Sequence, residues 1–282
     1  MERFAKRYMN PNWLIQEDVF NEDFSDLYSA LDKQNNKYHV YKYIPFSSEL
    51  ITPLDDSDCV ITYGSLNLAK IVQRTKKWIP GCWCNFENFR CLNYYAYYGK
   101  YLLNKDYSAI PLLEIIRLKE ELYQRYGDPI FVRPDKGDKP FTGHTINYYE
   151  FESQIKYLLS LPTCYEQLIV LVSSNKNIKR ESRFIVSGKQ VITGSVYIEN
   201  NDFKDRVRSL CECGDAFEFA KNVAQENWEP DPVYVIDVAE TSDEIGLLEL
   251  NSFSCSGFYA SDKNKIVEAV NLQAINEFND YD

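Results

Sequence analysis

Runs of alternating apolar and polar residues follow one another with helix-like segments through the first hundred residues. The period-two runs predict strands near 13–20, 37–44 and 59–63, and the wider apolar spacing predicts helices at 23–34 and through 70–75. Such alternation is typical of a small α/β domain with a mainly parallel sheet. We therefore expect this domain to occupy residues 1–90.

The dipeptide Gly64-Ser65 ends the third predicted strand and precedes a helix. Backbone N–H groups at the start of a helix suit an anion, such as a substrate carboxylate. Capping of the helix by Ser65 explains the same pattern. Both interpretations stay open, and the first would make Gly64 and Ser65 substrate contacts.

The rest of the chain predicts a second, mixed α+β unit at residues 91–282. Helical spacing dominates residues 86–126, and Gly127 and Pro129 then end the helix. Further helices are expected at 149–161, 215–226 and 267–278, and strands at 130–134, 168–172, 183–186, 190–193, 233–240 and 245–251. The unbroken aliphatic strand 168–172 indicates burial on both faces. Two hairpins are expected, one turning at Gly188 and one at the polar residues 241–244.

Composition narrows the class of protein. The chain has 282 residues, of which 45% are apolar and 26% charged, with a net charge of -11. This charge argues against binding nucleic acid or anionic membranes through a broad electrostatic field. The 22 tyrosines fit packing at half-buried positions better than base stacking. No apolar run approaches the roughly twenty residues of a membrane span, and no apolar run follows the basic N-terminus as in a signal peptide.

Eight cysteines are scattered along a chain too long to need disulfides, which indicates a reducing compartment and a cytoplasmic protein. Two C-x-C pairs, Cys82 with Cys84 and Cys211 with Cys213, would form a zinc site only if the fold joined them. With His39 and His144 as the only histidines, a multi-histidine metal centre is excluded.

The last two strands carry oxygen-bearing side chains among apolar neighbours. Glu249 and Asn251 are two residues apart and point to one face, which Asp237 reaches if the two strands pair. Two carboxylates close together repel each other and resist burial unless a cation neutralises them. Hard oxygen ligands of this kind suit Mg²⁺. The alternative is three polar residues on a solvated sheet face.

Basic residues provide complementary charge. Arg133 ends a short strand and precedes a polar loop that contains Lys139, which predicts contacts with phosphate groups. A solvated turn has a similar composition. Glu181 and Arg183 open the first hairpin, where Arg183 would suit a charge that develops on transferred phosphate, although the two also fit a surface ion pair.

The order of these parts resembles the ATP-grasp superfamily, in particular its arginine-rich branch common in bacteriophage genomes. The resemblance covers roughly residues 90–282 and is carried by Arg133 with the following Pro-x-x-Gly, by Glu181-x-Arg183, and by Asp237 with Glu249-x-Asn251. It implies an α+β fold in which two lobes hold ATP, after a preceding α/β domain. A phage-encoded member would work in the host cytoplasm.

The resemblance also implies the roles of residues. Asp237, Glu249 and Asn251 would bind Mg²⁺, or Mn²⁺ in its place. Arg133 would occupy the phosphate-binding position that lysine usually holds, and Arg183 would steady the transferred phosphoryl group. Further contacts are implied for the phosphate loop, the adenine and the acyl substrate, by Lys139, by Glu181 with Ile169, Val170 and Leu171, and by Ser256 and Gly257. The phosphate-loop glycines are sparse, with Asp138 and Lys139 in their place.

Most members of the superfamily phosphorylate a carboxylate to an acylphosphate, which an amine or another nucleophile then attacks. The resemblance therefore implies an ADP-forming carboxylate–amine ligase that acts on a small-molecule or peptide carboxylate. A kinase, a non-catalytic ATP-binding protein and a tyrosine-rich structural module remain alternatives. They differ in whether ATP binds, whether ADP forms and whether an amine is required.

Overall fold

The computed structural model describes residues 10–44, 49–200, 208–209 and 214–281. The predicted pair of Cys211 and Cys213 and the first nine residues lie outside this part of the chain. Among the described residues, no helix is both long and apolar enough to cross a membrane.

The N-terminal segment forms a four-stranded parallel sheet, as the alternation of strands and helices predicted. Its strands are β1 (Asn12–Gln16), β2 (Tyr38–Tyr41), β3 (Cys59–Tyr63) and β4 (Ile79–Gly81), in the order β2-β1-β3-β4. Helix α1 (Asn21–Lys33) and helix α2 (Leu66–Thr75) connect the strands. Strands β1 and β3 are buried along their whole length.

The middle segment forms a four-stranded antiparallel sheet with helices around it. Its strands are β5 (Tyr107–Pro111), β6 (Ile130–Pro134), β7 (His144–Ile146) and β8 (Ile169–Ser174), in the order β5-β8-β6-β7. Its helices are α3 (Cys91–Tyr98), α4 (Glu114–Arg117), α5 (Lys119–Tyr126) and α6 (Phe151–Ser160). Ile115, Leu122 and Tyr126 are buried on one face, as the helical spacing predicted.

The prediction of continuous helical structure over 86–126 was wrong, because β5 interrupts it. This strand is short and nowhere fully buried, so the apolar pattern carries no clear period of two. It forms because β8, much further along the chain, provides its hydrogen-bonding partner. Strand β7 was missed for a related reason, since three residues are too few to show a period.

The C-terminal segment forms a five-stranded antiparallel sheet. Its strands are β9 (Arg180–Ser187), β10 (Gln190–Glu199), β11 (Arg208–Ser209), β12 (Val233–Glu240) and β13 (Ile245–Ser252), in the order β11-β10-β9-β12-β13. Helix α7 is Asp215–Ala224 and helix α8 is Lys263–Tyr281. The β9–β10 turn has positive φ at Gly188 (53°) and Lys189 (64°), the conformation that tight hairpins need.

The last helix packs against the first sheet. Val267 and Val270 of α8 share a buried cluster with Trp13 and Ile61 of the parallel sheet. The indole Nε1 of Trp13 also donates a hydrogen bond to Oδ1 of Asn271 in α8, at 3.0 Å. Residues on both sides of the predicted boundary at residue 90 therefore share one core, which joins the parallel sheet to the β9–β13 sheet.

Candidate functional site

The register of the last hairpin brings the predicted acids together. Strands β12 and β13 pair so that Asp237 stands opposite Glu249, with a bulge directly after Asp237. On its other side, Asp237 stands opposite Arg183 of β9. The expected pairing of the two late strands is thus confirmed, and Asp237 reaches the face on which Glu249 and Asn251 lie.

Asp237 and Arg183 form a buried ion pair. Nε of Arg183 donates to Oδ1 of Asp237 at 2.8 Å, and Nη2 donates to Oδ2 at 2.8 Å. Nη1 donates to the carbonyl oxygen of Gly257 at 3.1 Å. The guanidinium also lies near the rings of Tyr197 and Tyr259, at 5.4 and 5.1 Å from their centroids. The Asp237 side chain is completely buried, so this pair lies behind the surface of the site.

Glu249 is held between two cations in front of that pair. Nη2 of Arg133 donates to Oε2 of Glu249 at 2.6 Å, and Nζ of Lys139 donates to Oε1 at 3.0 Å. Lys139 also donates to Oδ1 of Asn251 at 2.6 Å. The amide nitrogen of Asn251 donates to Glu249 and to Asp237, both at 2.8 Å. Asn251 therefore links the front carboxylate to the buried one.

The electrostatics follow from these contacts. Burial alone would raise the pKa of Glu249, but the Lys139 ammonium and the Arg133 guanidinium hold that pKa well below its usual value. Burial raises the pKa of Asp237, and the Arg183 ion pair opposes that rise. The protein's own basic side chains meet the expected repulsion between the acids, which the two acidic strands alone do not reveal.

These groups lie beside a cleft between the two antiparallel sheets. A cavity of about 380 Å³ is lined by the predicted residues Arg133, Lys139, Glu181, Glu249, Asn251 and Ser256. Asp237 and Arg183 are not part of its wall. A phosphate group in the cavity would meet Lys139 and Arg133 directly, whereas Arg183 would act through Asp237.

The donor set can be compared with the needs of a divalent cation. The Lys139 ammonium bridges Oε1 of Glu249 and Oδ1 of Asn251, so a positive charge already fits between these two hard oxygen atoms. Asp237 would become a direct ligand only by giving up part of its pairing with Arg183 and Asn251. Among the described residues, no three His, Cys, Asp or Glu side chains are grouped to hold a metal ion, so the amide oxygen of Asn251 is essential to this set.

The backbone of Ile169 to Leu171 is not available to an adenine, contrary to the expectation that this strand offers free donors and acceptors. Strand β8 is central in its sheet, and this stretch pairs with β5 on one edge and β6 on the other. Its backbone donors and acceptors are therefore used within the sheet. Backbone outside any sheet lies further along, in the linker 175–178 between β8 and β9.

That linker lines a second recess of about 430 Å³, together with Asn104, Phe131, Thr145, Glu181 and Leu248. Phe131, Ile178, Glu181 and Leu248 line both the recess and the cavity, so the two spaces form one continuous cleft. Glu181 stands at their junction, where its carboxylate accepts a hydrogen bond from the hydroxyl of Tyr197 at 2.6 Å. Burial raises the pKa of Glu181.

The remaining predicted substrate residues lie at the opposite end of the cleft. Ser65 caps α2 by accepting a hydrogen bond from the backbone N–H of Leu68 at 3.2 Å. The backbone N–H of Gly64 donates to the carbonyl of Ser254. Ser65 also lines a side recess of about 460 Å³ together with Lys70, Lys136 and Lys139. The capping interpretation is thus confirmed, while a substrate role for these residues stays a prediction.

Three of the cysteines converge at the edge of the cavity. Sγ of Cys255, which lines the cavity, lies 3.9 Å from Sγ of Cys84. Hydrogen bonds from the thiols of Cys255 and Cys82 lower the pKa of Cys84 to about 4. The described partner of the first C-x-C pair is therefore Cys255.

Several residues of the cleft were not found from the sequence. Tyr197 and Tyr259 stack on each other beside Arg183, with ring centroids 4.9 Å apart, but among 22 tyrosines neither stands out. Asn104 lies in a segment predicted to be helical. The linker at 175–178 carries one signal, since its polar residues directly follow a buried strand.

Comparison with known proteins defines the class to which this fold and site correspond. A family model for an ATP-grasp domain, the second family of its clade, matches residues 113–269, which is more than half of the chain. The chain belongs to this family, and its α+β ATP-grasp fold agrees with the fold class predicted from the sequence. No curated protein sequence matches the chain.

Solved structures show the same fold at low sequence identity. D-cycloserine synthetase DcsG is 12% identical with a TM-score of 0.63, and the match covers 94% of this chain and 100% of that one. D-alanine–D-alanine ligase from Bacillus anthracis is 11% identical with a TM-score of 0.56, covering 96% and 100% of the two chains. The ATP-grasp ligase PsnB, complexed with minimal precursor, Mg and ADP, is 12% identical with a TM-score of 0.54, covering 95% and 99%. At this identity the likeness concerns the fold.

Proposed function

We propose that the protein is an ATP- and Mg²⁺-dependent ligase that joins a carboxylate to an amine, or to another nucleophile, through an acylphosphate. The observation that carries this proposal is the cluster of Arg133, Lys139, Glu249 and Asn251 on one wall of a cleft between two antiparallel sheets. The chain belongs to a family of ATP-grasp domains, and its structural neighbours include ligases for small molecules and for peptides.

The shape of the cleft supports one orientation of the nucleotide. The 430 Å³ recess has apolar walls from Phe131 and Leu248 and linker backbone outside any sheet at 175–178, which suits a purine base. The cavity next to it carries the basic side chains, which suits phosphate groups. Glu181 lies between the two, at the position of the ribose.

The oxygen atoms of Glu249 and Asn251 have the chemistry of Mg²⁺ ligands, and Asp237 supports them through its hydrogen bond with Asn251. When bound, Mg²⁺ would supply positive charge to the phosphate oxygens. Lys139 would then exchange its contacts with Glu249 and Asn251 for a phosphate, because its side chain is 42% exposed. Arg133 and Arg183 would keep the two carboxylates ionised and in place.

The reaction has two transfers. A substrate carboxylate oxygen attacks the γ-phosphorus, and the bond to the β–γ bridging oxygen breaks to release ADP. The amine then attacks the acyl carbon, inorganic phosphate leaves, and the nitrogen loses a proton. The chain contributes position and positive charge, which dominate phosphoryl transfer. Ser256 and Gly257, with Ser65 on the other side, would face the acyl substrate.

Hydroxylamine allows the acid to be sought without knowledge of the amine. The protein is mixed with Mg-ATP, hydroxylamine and a panel of carboxylic acids and acidic peptides, with Glu249→Gln as the control variant. Formation of ADP together with a hydroxamate supports the proposal. Formation of AMP and pyrophosphate contradicts the acylphosphate route.

Two other outcomes favour the alternatives. ADP with a stable phosphorylated product and no hydroxamate would identify a kinase. Binding of Mg-ATP by calorimetry, with no ADP across the panel, would identify a non-catalytic ATP-binding protein.

A further inference from the structure

Asn104 is positioned in the base recess by the backbone of a distant strand. Leu102 forms a bridge with Leu247 of β13, and the backbone N–H of Leu103 donates to the carbonyl of Leu247 at 3.0 Å. At Gly246 an added Cβ would lie 2.6 Å from Cα of Leu103, so the two segments touch at backbone distance. The segment that carries Asn104 is therefore held tightly where it borders the recess.

The side chain of Asn104 has an unmet hydrogen-bonding requirement. It lines the recess beside Phe131 and Leu248, and its Oδ1 is buried without a hydrogen-bond partner among the described residues. Buried polar atoms of native proteins are nearly always paired, and an unpaired one is costly. The neighbouring Asn175 differs, because its Oδ1 accepts a hydrogen bond from Thr145 at 3.2 Å.

We propose that the side-chain amide of Asn104 contacts the edge of the nucleotide base and accepts a hydrogen bond from its exocyclic amino group. This inference rests on the proposed function, in that it requires ATP to bind in the cleft. An amide carbonyl accepts from an N–H donor, and the amino group of adenine offers one. Asn104 is half-buried, so rotation about its last side-chain bond brings the oxygen to a base in the recess.

A cycle of two ligands and two proteins isolates this contact. Calorimetry measures the affinity of wild type and Asn104→Ala for Mg-ATP and for the triphosphate of purine riboside, which lacks the amino group. We expect wild type to prefer ATP by about five-fold, the effect of one ordinary hydrogen bond, and Asn104→Ala to lose both this preference and about five-fold in ATP affinity. Because the effect is at the base, inorganic triphosphate should bind both proteins equally.

Two further variants guard against a structural explanation. Asn104→Asp keeps an acceptor and should retain the preference for the amino group, whereas Lys105→Ala changes the exposed neighbour in the same segment and should leave every affinity unchanged. An equal preference for ATP in wild type and Asn104→Ala would overturn the inference, and so would weaker binding of inorganic triphosphate by Asn104→Ala. Absence of Mg-ATP binding by wild type would overturn the proposed function and this inference together, whereas ATP binding without the coupling overturns the role of Asn104 alone.

Discussion

The Asp237–Arg183 ion pair provides the sharpest test of how this site is built. Replacing Asp237 by Asn removes the negative charge but keeps the size of the side chain. The change leaves a guanidinium whose side chain is only 11% exposed next to a neutral amide. It also turns an acceptor of two 2.8 Å hydrogen bonds into a group that accepts with one atom only.

The size of the effect follows from burial. Removing one partner of a buried ion pair typically costs about 3–5 kcal/mol. Arg183 keeps its bond to Gly257 and its contacts with two tyrosine rings, so we expect the lower end, about 3 kcal/mol. For a chain of this size, that corresponds to a fall in melting temperature of roughly 6–12 °C.

The assay is urea unfolding at pH 7, followed by tryptophan fluorescence, without nucleotide. Asp243→Asn in the exposed turn before β13 serves as the control and should change the free energy of unfolding by less than about 0.5 kcal/mol. The double variant Asp237→Leu with Arg183→Met should be more stable than Asp237→Asn, since it leaves no buried charge unpaired. A loss below about 1 kcal/mol for Asp237→Asn, or a double variant that costs more than the single one, would refute the reasoning.

The other predictions concern the cleft. Mg-ATP at about a hundred times its dissociation constant should raise the stability of wild type by about 2.7 kcal/mol, and Glu249→Gln should lose this gain in a thermal-shift assay while Glu244→Gln in the exposed turn keeps it. Because basic neighbours hold the pKa of Glu249 below its unfolded value, its ion pairs stabilise the protein above about pH 4.5 and lose that effect as the pH falls. The stability difference between wild type and Glu249→Gln in urea should therefore shrink between about pH 6 and pH 3, and a constant difference would contradict this. Treatment with hydrogen peroxide should link Cys84 to Cys255 before it modifies Cys164, as peptide mapping after alkylation would show, and preferential loss of the Cys164 thiol would count against it.

The sequence was informative wherever the pattern was local and long enough. The parallel N-terminal sheet, the two hairpins and the aliphatic strand β8 were predicted from periodicity and turn residues. Strands β5 and β7 were not, because they are short and their own residues show no clear alternation. The backbone of β8 was taken to be available, when strands from distant parts of the chain pair with it on both edges.

The site divides in a similar way. The family could be indicated from the order of a few residues whose types are fixed by their chemistry and their places on strands, namely Arg133, Glu181, Arg183, Asp237, Glu249 and Asn251. Which of them face the cleft was not readable. That depends on the register of β9, β12 and β13, which places Asp237 and Arg183 behind the surface.

By itself, the sequence determined the order of strands and helices, the two acidic strands and the presence of basic residues to balance them. Only the tertiary structure decided which cation meets which acid. Arg133 and Lys139 reach Glu249 and Asn251 from a distant part of the chain, and such contacts depend on how two sheets meet. They also turn the acidic strand pair from a group that needs an external cation into one that already holds cations of its own, one of which is exposed enough to be exchanged.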